Sequence, residues 1–125
     1  MTCATRVPKL KCLRVWSDPV PREAAESMAW DHALLEGATA PLLRVYQWAQ
    51  PCVSCGYFAE AREAERFAGG LPWVRRWTGG GLVRHGEDWA YTFIVPRILA
   101  TPLPARDTYR WIHSALALVL NQTFA

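Results

Sequence analysis

Residues 74–85, Val-Arg-Arg-Trp-Thr-Gly-Gly-Gly-Leu-Val-Arg-His, restrict the fold of this chain more than any other stretch. The segments on either side read as strands, and three consecutive glycines between them can continue neither. Glycine lets a backbone pass very close to another group, and its N–H groups can then face an anion. Arginine supplies a planar, permanently charged fork for phosphate or carboxylate. Strand alternation would put Arg76 and Thr78 on one face before the glycines, and Val83 and His85 on one face after them. Two readings follow: a glycine hairpin whose arginines face solvent, or a site that grips a small anionic ligand. Known phosphate cradles do not fit. A Walker loop needs lysine directly after its glycines, and here Leu82, Val83 and Arg84 follow. A dinucleotide fingerprint needs a G-x-G-x-x-G spacing between strand and helix, which Gly79, Gly81 and Gly86 miss.

The rest of the chain alternates strand and helix signals. Residues 13–16 form a short strand closed by Ser17, Asp18 and Pro19. A helix opens near Pro21, which suits a first helical turn, and stops at Gly37. Ala24, Met28, Asp31 and Leu35 share one of its faces, so Asp31 is a polar residue on an apolar stripe, expected to bond a neighbouring backbone group. Strands are predicted at 42–48 and 52–57, a short helix at 60–67, and strands at 73–78, 82–85 and 88–95. A proline-rich link at 101–104 leads to a final helix N-capped by Asp107, with Tyr109, Ile112, Leu116, Val119 and Leu120 along its apolar face. The order β-α-β-β-α-β-β-β-α implies an α+β or α/β sheet with helices packed on it.

A chain of 125 residues is one domain, 1–125, and its 51% hydrophobic and 20% charged content is globular rather than disordered. Trp73, Arg75, Arg76 and Trp77 interleave aromatics with cations as a single-strand stacking surface would. A net charge of +3 is too mild for that reading, so no nucleic-acid partner is expected. No long apolar run follows Arg6, Lys9 and Lys11, and the run at 115–120 is far short of the roughly 20 residues that span a bilayer. A cytoplasmic protein without a membrane partner is therefore expected. Cys52 and Cys55 formally make a C-x-x-C pair, but three positions apart in a strand they point to opposite faces and cannot share a metal. Together with Cys3 and Cys12 they read as ordinary thiols, and no metal site is expected.

Beyond the glycines, four ordered stretches resemble one family. Residues 75–85 resemble the R-R-x-[ST]-G-G-G-x-V-x-H signature of the lipoate–protein ligases and octanoyltransferases, in the biotin/lipoate ligase superfamily. Met28 to Leu35 resembles that family's first helix, M-A-x-D-x-A-L-L. Trp48 with Pro51 to Phe58 resembles its W-x-x-P-x-x-S-x-G-Y-F strand, and Tyr91 to Pro96 the strand after the histidine. The resemblance implies an α+β fold, a mixed and mostly antiparallel sheet flanked by helices, with a tunnel for an eight-carbon acyl chain. It implies acyl transfer to a lysine on a lipoyl carrier domain of 2-oxoacid dehydrogenase or glycine cleavage proteins. A ligase would use lipoate, ATP and Mg²⁺ to form lipoyl-adenylate; an octanoyltransferase would take the octanoyl group from acyl carrier protein.

Carried over residue by residue, Arg76 and Thr78 would lie near the adenylate phosphate, and Gly79, Gly80 and Gly81 would let the acyl chain run along the backbone. Gly56 would line the pocket and His85 would stand at its edge. Arg84 replaces a residue that is usually apolar or aromatic, and Ala59 one that is often glutamine. Arg75-Arg76 and the uninterrupted glycines lean toward the ligases; Ser54-x-Gly56-Tyr57-Phe58 leans toward the cysteine-dependent octanoyltransferases. The family's lysine motif, K-x-x-G-x-A, has no counterpart, since no lysine follows Lys11 and no cysteine follows Cys55. No catalytic residue is therefore assigned. The chain is expected to be the N-terminal part of a longer enzyme or a truncated product, with an acyl-binding fragment as a further alternative.

Overall fold

A computed structural model describes residues 10–99 and 104–124. Cys3, Arg6, Lys9 and residues 101–103 of the proline-rich link lie outside them. Within residues 12–96 the elements run β1 (Arg14–Ser17), α1 (Ala24–Gly37), β2 (Leu42–Gln47), β3 (Cys52–Cys55), α2 (Ala61–Ala68), β4 (Trp73–Arg75), β5 (Val83–His85) and β6 (Trp89–Ile94). This is the order read from the sequence. A single 3-10 turn (Arg97–Leu99) and α3 (Ala105–Phe124) belong to a second compact unit.

The strands form two three-stranded mixed sheets. In the first, β2 lies between β1 and β6, parallel to β1 with Arg14 opposite Leu42 and antiparallel to β6 with Leu42 opposite Ile94. In the second, β3 lies between β4 and β5, parallel to β4 with Val53 opposite Trp73 and antiparallel to β5 with Val53 opposite Arg84. The α+β class and the mixed pairing match expectation.

The helix boundaries differ from the sequence reading at two ends. The first helix begins at Ala24 rather than Pro21, because Arg22 first pairs with Trp48 as an isolated bridge and holds the chain extended. The last begins at Ala105, and Asp107 sits in its first turn rather than at its cap; the backbone N–H groups of Asp107 and Thr108 both bond the Pro104 carbonyl. An acidic residue in that position still faces the positive end of the helix dipole.

In α1 the buried positions are Ala24, Ser27, Met28 and Asp31, while Leu35 stays exposed. Two of the four buried residues are polar because a charge comes up beneath them. Arg44, at an inward position of β2, is fully buried. Its Nη1 donates to Asp31 Oδ1 at 2.8 Å and the Ser27 carbonyl at 3.0 Å, and its Nη2 to Asp18 Oδ2 at 3.0 Å and Ser27 Oγ at 3.1 Å. Asp31 thus bonds side chains, Arg44 and Thr92 Oγ1 (2.7 Å), rather than the backbone group expected. The Tyr46 ring covers the guanidinium at 4.0 Å, a cation–π contact. The apolar core beside this hub joins Ala24, Met28, Tyr46, Trp48 and Cys52.

Candidate acyl-binding site

β3 is the floor of the site. All four of its residues are buried, with Ala64 and Ala68 of α2 buried in the same region of the fold. Alternation and register sort its neighbours by face. Ser54 lies opposite Val83 and Val74, and Cys52 opposite His85, so Ser54, Cys52 and His85 share one face. Arg76 joins them two positions after Val74, its N–H extending the ladder to the Cys55 carbonyl at 2.9 Å. Cys55 takes the other face from Cys52, as strand alternation requires. Burial, with Asp88 and Glu23 adding negative charge nearby, pushes the Cys52 thiol up to about 11.

The glycines do not make a hairpin. β4 and β5 flank β3 on opposite sides, so the chain between them must cross over the end of β3. It leaves β4 after Arg75, and the alternation expected through Thr78 stops there. At the crossing, Tyr57 N–H donates to the Thr78 carbonyl (2.9 Å) and Gly56 N–H to the Gly81 carbonyl (3.1 Å). A Cβ on Gly56 would fall on the Gly80 backbone, 2.8 Å from its carbonyl carbon and 2.9 Å from its nitrogen. Gly80 itself has φ 104°, a conformation that side chains resist. Two glycines are therefore needed, one for contact and one for conformation.

Both arginines bind this crossing. Arg76 Nη1 donates to Ser54 Oγ (2.8 Å), and its Nη2 to the carbonyls of Gly79 (3.1 Å) and Gly81 (2.9 Å). Arg75 Nη1 holds the turn after β3 by the carbonyls of Gly56 (3.3 Å), Tyr57 (2.9 Å) and Ala59 (2.6 Å). Trp77, between them and Thr78, anchors the loop to α1. Its Nε1 donates to the Met28 carbonyl at 3.0 Å and its ring stacks on His32 at 4.1 Å. Thr78, Gly79, Gly80 and Gly81 lie exposed along the crossing.

His85 closes the other side. Its Nε2 is 2.7 Å from Ser54 Oγ and its Nδ1 is 2.8 Å from Asp88 Oδ2, and its ring stacks on Trp48 at 4.3 Å. Gly86 N–H donates to the other Asp88 oxygen at 2.7 Å. Burial alone would raise the Asp88 carboxyl; the bonds from His85 and Gly86 outweigh it and hold the carboxyl below its ordinary range. Arg84, the unusual residue of the signature, points to the opposite side. Its Nη2 donates to the Phe67 carbonyl at 2.9 Å, capping an orphan acceptor in the last turn of α2.

Arg76, Thr78, the three glycines and Gly56 thus gather where the chain leaves β3, and His85, paired with Cys52 at the start of that strand, reaches them through Ser54. Residues 23–124 match the Lipoyl protein ligase A/B catalytic domain family. The chain belongs to that family. Among curated relatives, this lipoyl ligase-family chain is 42% identical to the octanoyltransferase LipM of Carboxydothermus hydrogenoformans, over 78% of its own length and 39% of that protein's. It is 36% identical to the LipM of Exiguobacterium sibiricum, over 72% and 36%. The chain spans less than half the length of these relatives. A solved structure described as a candidate lipoate protein ligase from T. acidophilum, with bound lipoic acid, matches with a TM-score of 0.63 and 26% identity, over 78% of this chain and 42% of that one.

Three further residues of this cluster carry little signal of their own in the sequence. Ser54 was visible only as part of a motif, because a small polar residue in the run Cys-Val-Ser-Cys carries no periodic signal. Asp88 and Arg75 had weak signals: a carboxylate three residues after a histidine, and a second cation beside the first.

Proposed function

We propose that this chain supplies the acyl-binding part of an octanoyltransferase, which moves an eight-carbon acyl group from acyl carrier protein toward a lysine of a lipoyl domain. The observation that carries this reading is a charge left uncompensated beside a glycine crossing. Among the described residues no carboxylate pairs with Arg75 or Arg76; their acceptors are a hydroxyl and main-chain carbonyls. Two guanidiniums facing neutral acceptors keep their field for a polarised acyl carbonyl or an anionic leaving group. The backbone of Gly79, Gly80 and Gly81 lies exposed beside them, with no side chain to keep an acyl chain away. The likeness to octanoyltransferases sets this ahead of the ATP-dependent ligase that the arginines and glycines alone suggested.

The ligase remains a second reading on one observation. The same uncompensated charge suits the phosphate of an acyl-adenylate, which would be made from ATP and Mg²⁺, and the matching solved structure holds lipoic acid. By the resemblance, the lysine that holds the activated carboxyl group and the cysteine nucleophile of one octanoyltransferase branch would lie on motifs not found among these 125 residues. The test is mass spectrometry of an apo lipoyl domain incubated with the protein that carries this sequence. A gain of one octanoyl group from octanoyl-carrier protein without ATP is expected. A gain that needs ATP and free lipoate replaces the transferase with the ligase, and no gain from either donor overturns both.

A further inference from the structure

The contacts around Ser54 admit one arrangement of hydrogens. Ser54 Oγ has a single hydrogen, and the residue is fully buried. Arg76 Nη1 can only donate, so Oγ accepts at 2.8 Å. The ionised Asp88 carboxylate can only accept, so His85 Nδ1 carries the hydrogen of their 2.8 Å contact. With Arg76 already donating to Oγ, the one acceptor left for the Ser54 hydrogen is His85 Nε2, at 2.7 Å. The donors run head to tail: Arg76 to Ser54, Ser54 to His85, His85 to Asp88. A cation and an anion are joined through two neutral groups, each polarising the next. Were Nε2 to carry hydrogen instead, Oγ would receive two donors, and its own hydrogen would be buried without an acceptor.

The same residue types form the nucleophilic triad of many hydrolases, where the serine must face a substrate carbonyl. Ser54 faces none: it has no exposed surface, and its oxygen is held by a guanidinium. We propose that Ser54, His85 and Asp88 are positioning residues, a relay that orients Arg76 and, through its bonds to the Gly79 and Gly81 carbonyls, fixes the path of the glycine crossing that receives the acyl ligand. The relay rests on the acyl-site reading only for its ligand. Its geometry stands apart, with Trp48 stacked on His85 and Gly86 N–H on Asp88 as the two outer supports.

Nitrogen-15 NMR of the ligand-free 125-residue chain tests the relay directly. His85 is expected as the Nδ1-protonated tautomer, with Arg76 Nη signals sharpened by restricted rotation. Asp88→Asn lies two residues of the relay away from Arg76, yet it is expected to shift the His85 tautomer and broaden the Arg76 signals. By calorimetry, Ser54→Ala is expected to weaken octanoate binding by roughly tenfold or more, as for a lost hydrogen bond to a charged group. Asp88→Asn is expected to weaken it by less. An Nε2-protonated His85 in the unaltered chain overturns the proposal, as does an Asp88→Asn variant with unchanged Arg76 signals. If the unaltered chain binds no octanoate, the acyl-site reading fails, and the two spectroscopic outcomes alone decide the relay. The tautomer is read without any variant, so a misfolded Ser54→Ala leaves the test standing.

Discussion

Arg44 and Arg76 are both arginines tied down by several acceptors, and they differ in what those acceptors are. Arg44 meets two carboxylates, Asp18 and Asp31, together with Ser27, and is sealed under α1. Its charge is spent inside the protein. Arg76 meets one hydroxyl and two carbonyls at the surface of the glycine crossing. Its shape is fixed but its charge is not. The contrast separates a guanidinium that holds the fold from one whose charge stays available for the ligand of the proposed function, and counting hydrogen bonds alone would not distinguish them.

Removing each charge should expose this difference most sharply. Arg44→Met takes the buried cation away from two carboxylates, leaving Asp18 only Arg22 and the Val20 N–H, and Asp31 only Thr92, and is expected to cost about 3–5 kcal/mol in urea unfolding. Arg76→Gln loses bonds to neutral groups near solvent and should cost no more than about 1.5 kcal/mol, while octanoate binding by calorimetry falls by roughly tenfold or more, the order of a lost charge-assisted bond. If Arg76→Gln proves as destabilising as Arg44→Met, the division between the two arginines is wrong.

Gly56→Ala attacks the crossing without touching either charge. Its methyl would meet the Gly80 backbone, which has no flexible end to swing aside, so a cost of about 1–3 kcal/mol is expected from overpacking. The glycine segment should lift from β3, and octanoate binding should weaken with it. A Gly56→Ala variant with unchanged stability and affinity would show that the crossing is loose and that Arg76 alone shapes the site.

The sequence showed the elements more fully than their partners. Period and punctuation gave all nine helices and strands of the α+β reading in order, because those signals are local. Pairing is not local. Nothing in residues 74–85 tells a hairpin from a crossing, since three glycines suit both; the distinction lies in β3, some twenty residues earlier. Arg44 gave no sign of its own, being a single charge in an apolar strand. Its mark was Asp31, a polar residue on an apolar stripe, and the expected backbone partner failed because the buried cation outcompetes a neutral one. The family signature located Gly56, Arg76 and His85 together, but the relay atom, Ser54, needed the strand register.

Acid should also divide the two hubs. Asp88 is held below its ordinary 3.8 by His85 and Gly86 against the opposing effect of burial. Asp18, whose burial likewise opposes the shift, is held below it by Arg22 and Arg44. The unfolded chain then binds more protons than the folded one near that pH, so stability rises with pH through the window and is lost as pH falls through the folded values. Asp31, raised by burial and only partly offset by Thr92 and Arg44, contributes with the opposite sign. Asp88→Asn should therefore be less stable than the unaltered chain at about pH 6, and the difference should shrink as pH falls below the ordinary carboxylate value and through the folded one. Asp88 is 43% exposed, so the difference should stay below about 1 kcal/mol. A difference that grows toward acid would reverse the sign assigned to Asp88.

The smallest effect tests the side of β3 that faces away from Ser54 and His85. Arg84 caps the last turn of α2 through the Phe67 carbonyl and lies over the Phe67 ring at 5.5 Å. An exposed cation at a helix C-terminus contributes about 0.3–1 kcal/mol, so Arg84→Ala should lower the urea midpoint slightly. It stands next to His85 in sequence but on the opposite face of β5, and octanoate affinity and the His85 tautomer should both be unchanged. This outcome would also explain an arginine at a position where the resemblance leads one to expect an apolar or aromatic residue: its side chain serves as a cap on α2. Loss of octanoate binding in Arg84→Ala would instead make it a third cation of the site, and the face assignment on which the relay depends would have to be redrawn.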